Sequence, residues 1–227
     1  MQPNKTFLVT AALSLAAASA SAATMVYDNG VSYSGFYLNP GASEVGDEIL
    51  LGAGPRIAST FQFEYYGLNF QTGGIANEQF RIRFYLNDGT FLGTGPGGDT
   101  YLPNTVFYDS GVQTLEPPVD PSGRNTYLFD LSYTNLVLPD RFTWSIEFEG
   151  IDVGETAGVS IYDDAPAVGG GLDDYWLQAG GGWELRGTNG QPISFGAQLT
   201  AVPEPSSYVL AILGGLCGLA VLSRRKR

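Results

Sequence analysis

Thr60-Phe61-Gln62-Phe63-Glu64-Tyr65 alternates polar and aromatic residues without a break. An extended chain points successive side chains to opposite faces, so this spacing gathers Phe61, Phe63 and Tyr65 on one face. Thr60, Gln62 and Glu64 share the other. The pattern predicts a strand with one face in a core and one in water. Outward from it the same period returns. Gln79 to Leu86 places Phe80, Ile82, Phe84 and Leu86 on one face, and Arg141 to Phe148 does so with Phe142, Trp144, Ile146 and Phe148. Tyr127, Phe129 and Leu131 form a shorter set. Asn87-Asp88-Gly89-Thr90 predicts a turn directly after the second of these strands. Pro117, Pro118, Pro121 and Pro139 punctuate loops. No stretch keeps a 3.6-residue apolar period over three turns. About ten short strands without a helix predict an all-β domain, a two-layer β-sandwich of jelly-roll type, spanning residues 23–200.

Composition agrees. Charged residues are 15% of the 227, below the roughly 25% usual for globular chains, while aromatics reach 13% and glycines number 31. Many rings, few charges and many glycines suit short strands joined by tight turns and exclude a disordered chain. Between Thr24 and Val202 there are six arginines, no lysine and 22 carboxylates, a net charge of −16. Such a surface repels a phosphate backbone, which argues against nucleic acid as a partner. Cations, or neutral sugars read by aromatic side chains, fit it better, and acidic charge also keeps an exported domain soluble. The chain has no histidine, and its single cysteine, Cys217, lies in a C-terminal apolar run. A Ser-His-Asp triad, histidine-ligated zinc, imidazole acid–base chemistry, a thiol nucleophile and a domain disulfide are thereby excluded. About 180 residues bury a sufficient core without such staples.

The two ends read as targeting segments. Lys5, the apolar stretch Phe7 to Ala18 and Ala20-Ser21-Ala22 follow the order of a signal peptide, residues 1–22, with the mature chain starting at Ala23. At the other end Pro203-Glu204-Pro205 stops the last strand, because proline lacks the amide a ladder needs. Tyr208 to Leu222 is an uncharged, mostly apolar run of 15 residues. As a helix it measures about 22 Å, short of a hydrocarbon core of about 30 Å. Ser206, Ser207 and Ser223 lengthen it, and arginine side chains snorkel. Arg224-Arg225-Lys226-Arg227 would stay cytoplasmic by the positive-inside rule, leaving the domain outside.

This ordered tail resembles the PEP-CTERM sorting signal. The resemblance rests on Val202-Pro203-Glu204-Pro205, the glycine-containing apolar run 208–222 and the basic cluster 224–227, about the last 26 residues. It implies a partner, an exosortase (a membrane-embedded cysteine protease), and processing near Pro203-Glu204-Pro205. It also implies a Gram-negative-type bacterial envelope and an association with extracellular polysaccharide or biofilm matrix. The middle of the chain is similar to other uncharacterised β domains of such proteins, as in Phe-Tyr-Leu-Asn-Asp-Gly at 84–89. A second motif, Leu102-Pro103-Asn104-Thr105, lacks the glycine a sortase substrate needs and lies mid-domain.

Three constellations are candidates for chemistry. Asp163, Asp164, Asp173 and Asp174 flank Gly169-Gly170-Gly171 and could offer oxygens to calcium, which takes six to eight at about 2.3–2.6 Å. The competing reading is solvated turn aspartates. Trp176 and Trp183, with Tyr162 and Tyr175, stand beside polar segments and suggest a sugar-stacking platform. Glu147 and Glu149 share the outer face of one strand and suggest the carboxylate pair of a glycoside hydrolase. Without a catalytic motif, the expectation is an exported, non-catalytic envelope or matrix protein that needs no cofactor, calcium apart. The alternatives are a carbohydrate- or calcium-binding module and a polysaccharide-active hydrolase.

Overall fold

The computed structural model describes residues 22–30, 33–70, 77–95, 98–117, 122–162, 165–187 and 193–204. The signal peptide up to Ser21, Asp163, Asp164, Pro205, the apolar run 208–222 and the basic cluster 224–227 lie outside the described residues. The strands in chain order are β1 (Thr24–Asp28), β2 (Tyr33–Leu38), β3 (Glu44–Leu50), β4 (Ile57–Leu68), β5 (Gln79–Tyr85) and β6 (Phe91–Gly95). They continue with β7 (Gly98–Tyr101), β8 (Val106–Thr114), β9 (Arg124–Asp130), β10 (Arg141–Glu149) and β11 (Thr156–Tyr162). The last are β12 (Gly170–Gly171), β13 (Tyr175–Ala179), β14 (Gly182–Arg186), β15 (Ser194–Phe195) and β16 (Ala197–Val202).

Two seven-stranded sheets pack face to face as a sandwich. The first runs β1-β16-β4-β11-β15, with β9 on the far side of β4 and β2 on β11. The second runs β14-β13-β3-β10-β5-β8, with β12 also on β3. All pairings are antiparallel. The alternating stretches lie on β4, β5, β9 and β10, and their apolar faces meet between the sheets. Phe61 and Phe63 of β4 are fully buried and reach the opposite sheet edge-on: Phe61 lies 5.0 Å from Phe84 and 5.3 Å from Trp144, and Phe63 lies 5.3 Å from Phe80. Leu86 is half-buried, because β5 ends one residue before it and the chain leaves the core.

Three details differ from the sequence expectation. Sixteen strands are described rather than about ten, because two-residue pieces such as β12 and β15 carry no readable period. Asn87-Asp88-Gly89-Thr90 bends the chain without reversing it. Backbone bonds Leu86 N–Thr105 O, Gly89 N–Leu102 O and Leu102 N–Thr90 O carry the β5–β8 pairing outward into the β6–β7 hairpin. Asp88 fixes the bend by accepting from Thr105 N and Oγ1 at 3.0 and 2.7 Å. The third difference is β3, which holds three buried acids: Glu44, Asp47 and Glu48 are 4%, 0% and 1% exposed. A strand with acids on both faces gives no apolar alternation to read.

The register also fixes the ends of the domain. Thr24 pairs with Ala201 and Ile57 with Val202, so the chain enters and leaves at one pole. β4 runs from that pole to Leu68, which pairs with Thr156 at the other, roughly 36 Å away at 3.3 Å per residue.

Deleting the ring at the centre of this packing is the direct test. Phe63→Ala is expected to destabilise the domain by about 3–5 kcal/mol, a fall in Tm of roughly 6–20 °C at 2–4 °C per kcal/mol. Leu128→Ala, at a side chain 60% exposed, should leave Tm close to wild type. Thermal melts followed by near-ultraviolet circular dichroism read both.

Candidate functional site

The side chains of β3 point to two different environments. Val45, Asp47 and Ile49 face the core opposite Ile146, Trp144 and Phe142, and Glu44, Gly46 and Glu48 face outward opposite Ser145 and Thr143. The outward acids are nevertheless buried. Glu44 accepts from Arg83 Nη1 at 2.6 Å, from Tyr85 Oη at 2.9 Å and from Ser145 Oγ. Glu48 accepts from Asn87 Nδ2 and faces Arg141 Nε at 3.4 Å, and Asn87 Oδ1 accepts in turn from Thr143 Oγ1 at 2.8 Å. Burial pushes the Glu48 carboxyl up to about 7, against the pull of Arg141 and Asn87. Arg83 also holds Glu147 at 3.0 Å.

The roof of this polar layer is the β13–β14 hairpin. Its turn is Gly180-Gly181, both at positive φ (60° and 88°), the geometry of a two-residue hairpin loop that disfavours side chains. Trp183 on β14 meets Tyr85 on β5 edge-on at 5.3 Å, although β13, β3 and β10 lie between the two strands in the sheet. Across four strand spacings a flat sheet would hold these strands about 19 Å apart. The hairpin therefore curls over the outer face. Trp176 opposes Gly46 and is fully buried. This corrects the sugar-platform expectation for Trp176: a ring with no exposed surface offers no face to a ligand. Trp183 is half-buried and packs as the lid of the polar layer.

Asp47 lies on the inner face and is more isolated. Its Oδ2 accepts from Phe195 N at 2.8 Å and Ser194 Oγ at 3.2 Å, while Oδ1 has no hydrogen-bond partner. Burial pushes it up to about 8, despite the Phe195 and Ser194 bonds. Such a carboxyl is neutral through most of the physiological range.

The remaining candidate residues are dispersed. Asp173 is exposed and its carbonyl accepts from Ile193 N at 2.9 Å, and Asp174 is half-buried beside Gly187. Their partners in the calcium expectation, Asp163 and Asp164, lie outside the described residues. Among the described residues, no group of three or more acids could hold a metal ion. Glu147 and Glu149 do line an open cleft of about 490 Å³, together with Asp152 and Glu155 of the β10–β11 loop and Asn39 of the β2–β3 loop. Those loops sit at the pole opposite Thr24 and Val202. Residues Glu44, Asp47 and Glu48 went unread in the sequence; the one signal was three acids within five residues immediately before the apolar pair Ile49-Leu50. Comparison with family models, curated proteins and solved structures returns no match to this chain.

The buried acids make stability depend on pH with a definite sign. Asp47 and Glu48 carry folded-state values near 8 and 7, above their ordinary 3.8 and 4.5. Their contribution is fully present below about pH 4 and is lost as pH rises towards 8. Glu64, Asp88, Asp109 and Asp130 are held low by hydrogen bonds and act in the opposite sense, losing stability as pH falls below about 4. Stability is therefore expected to peak on the acid side of neutrality. Asp47→Asn should remove up to about 1.4 kcal/mol per pH unit of the decline between pH 5 and 8. Urea titrations across that range measure it; an unchanged slope would show that Asp47 is not protonated in the fold.

Proposed function

We propose that this protein is an exported, non-catalytic component of a bacterial cell envelope or extracellular matrix. In this reading residues 1–22 direct export, 208–222 anchor the chain before processing, and an exosortase acts at Pro203-Glu204-Pro205. The domain is a β-sandwich with jelly-roll-like connections that stands outside the cytoplasm.

One observation carries the reading. β16 pairs on both sides, with β1 and β4, and its last residue, Val202, directly precedes Pro203. The motif thus begins where the fold ends, and cleavage there costs no ladder hydrogen bond. Thr24 lies beside Ala201, so a leader and a tail would both leave from one pole, with the acidic cleft turned away from the bilayer. The absent histidine and domain cysteine support a non-catalytic role.

Intact-mass analysis of the envelope protein, in a host with a working exosortase, tests the tail. The expected species begins at Ala23 and ends near residues 203–205. A mature species that keeps Arg227 would leave a stable tail anchor and end the exosortase reading.

A polysaccharide-active hydrolase is the second reading, favoured by the cleft containing Glu147 and Glu149. Alternate strand positions lie about 6.6 Å apart, near the spacing of inverting glycosidases. The first reading expects no release of reducing ends from a panel of glycans. Turnover that disappears in Glu147→Gln, with folding retained, would establish the hydrolase instead.

A further inference from the structure

The outward side chains of β4 are Gln62, Glu64 and Tyr66, alternating with the buried Phe61, Phe63 and Tyr65. Gln62 pairs across the ladder with Gln198 of β16, and Glu64 with Thr126 of β9. Between them and Tyr162 of β11 is a recess of about 100 Å³. Two glycines shape it. A Cβ at Gly196 would lie 2.3 Å from the Tyr162 ring, and one at Gly30 would lie 3.1 Å from Gln198 Nε2. The ring of Tyr162 therefore rests on bare backbone; at 4% exposed it closes one side of the recess without offering an open face, and the ring with an open face beside it is Tyr37.

The floor is fixed in advance. Arg124 grips Glu64 with Nε and Nη2, both at 2.7 Å, and Tyr162 Oη donates to Glu64 Oε2 at 2.9 Å. Tyr33 stacks on Arg124, its ring centroid 3.8 Å from the guanidinium carbon, and meets Tyr162 edge-on at 5.9 Å. Bidentate pairing and stacking hold an arginine more rigidly than a single ion pair does. Alongside, Tyr37 and Tyr66 stack face to face at 3.9 Å and 8°, with Tyr37 39% exposed.

The chemistry selects a ligand class. All six arginines of the domain are engaged by carboxylates: Arg56 by Asp140, Arg81 by Asp109, Arg83 by Glu44 and Glu147, Arg124 by Glu64, Arg141 by Glu48 and Arg186 by Glu184. On a domain of net charge −16, an anionic ligand meets repulsion rather than a free cation. A simple cation would find Glu64 already saturated. The rim offers the Gln62 amide, the Thr126 hydroxyl and the Gln198 amide, whose Nε2 also donates to Asp28 Oδ1 at 2.9 Å, all without charge, next to the Tyr37–Tyr66 stack with its apolar faces and polar tips. A pyranose matches both, with C–H groups on its faces and hydroxyls around its edge. Sites of this kind join apolar walls to a few convergent polar groups.

We propose that the recess between Gln62, Glu64, Thr126, Tyr162 and Gln198 binds one residue of a neutral polysaccharide, with the tyrosines beside it flanking the next. This goes beyond the sorting reading and does not depend on it, because binding by the purified chain is indifferent to where the cell delivers it.

Native affinity electrophoresis of the full-length chain in detergent tests the site. The gels contain hydroxyethylcellulose, dextran or galactomannan, with alginate as the polyanion. Retardation is expected in at least one neutral polymer and not in alginate. Gln62→Ala/Gln198→Ala should weaken that retardation at least tenfold with the fold retained by circular dichroism, and Tyr37→Ala should weaken it to a lesser degree. Trp183→Ala, on the other sheet, should bind as wild type. No retardation in any neutral polymer, retardation in alginate alone, or full binding by the double variant would each overturn the proposal.

Discussion

A scarcity of positive charge governs how this domain is put together. Six arginines face 22 carboxylates between Thr24 and Val202, and each arginine is held by at least one of them. Most of these pairs join different strands: Arg83 ties β5 to β3 and β10, Arg141 ties β10 to β3, Arg81 ties β5 to β8, and Arg124 ties β9 to β4. Exposed pairs such as Arg186–Glu184 contribute little, about 0–1 kcal/mol. Arg83 differs because its partner Glu44 has a side chain only 3% exposed. Removing one member of a buried pair strands the other charge, at a typical cost of about 3–5 kcal/mol. The arginines are thus better understood as cross-strand ties than as surface charge.

That arrangement explains why the second sheet has polar groups sealed on its outer face. Glu44 and Glu48 cannot be left half-solvated on one sheet of a sandwich while also being shielded from 20 other acids. The curled β13–β14 hairpin resolves this by covering them together with Arg83, Tyr85 and Ser145. Trp183 and Trp176 supply the apolar surface of the cover. The layer is fully bonded at Glu44, which specifies one register of β3 against β10 and β5, because a shift of one residue would turn both glutamates into the aromatic core.

The aromatic core was readable because alternation is a local signal. Phe61, Phe63, Phe80, Phe84, Trp144 and Phe129 were all assigned to their faces by period two alone. β3 was not, since acids on both of its faces cancel the pattern. Trp176 was misplaced for a related reason. A tryptophan beside glycines and aspartates looks like a loop aromatic, and only the curl of a hairpin over a distant strand reveals a buried ring. The Glu64–Arg124–Tyr162 constellation draws on residues 60 and 98 positions apart, and no single stretch of sequence announces it.

The two outer faces therefore end in opposite states, and the difference narrows where a ligand can act. On the second sheet Glu44 and Glu48 are engaged by Arg83, Tyr85, Ser145, Asn87 and Arg141 beneath the hairpin, so these two acids are unavailable to solvent. Among the described residues the first sheet has no comparable cover over β4, and Gln62, Tyr66, Thr126 and Tyr37 remain partly open beside a fixed carboxylate–guanidinium pair, with Tyr162 buried next to them. The strands of the first sheet run away from the pole where Thr24 pairs with Ala201 and Ile57 with Val202. A chain held at that pole would leave the tyrosine face open along its whole length, which suits contact with an extended polymer better than capture of a small solute. The same tether would direct the cleft of Glu147 and Glu149 outward, so that a single attachment point would leave both surfaces free at once.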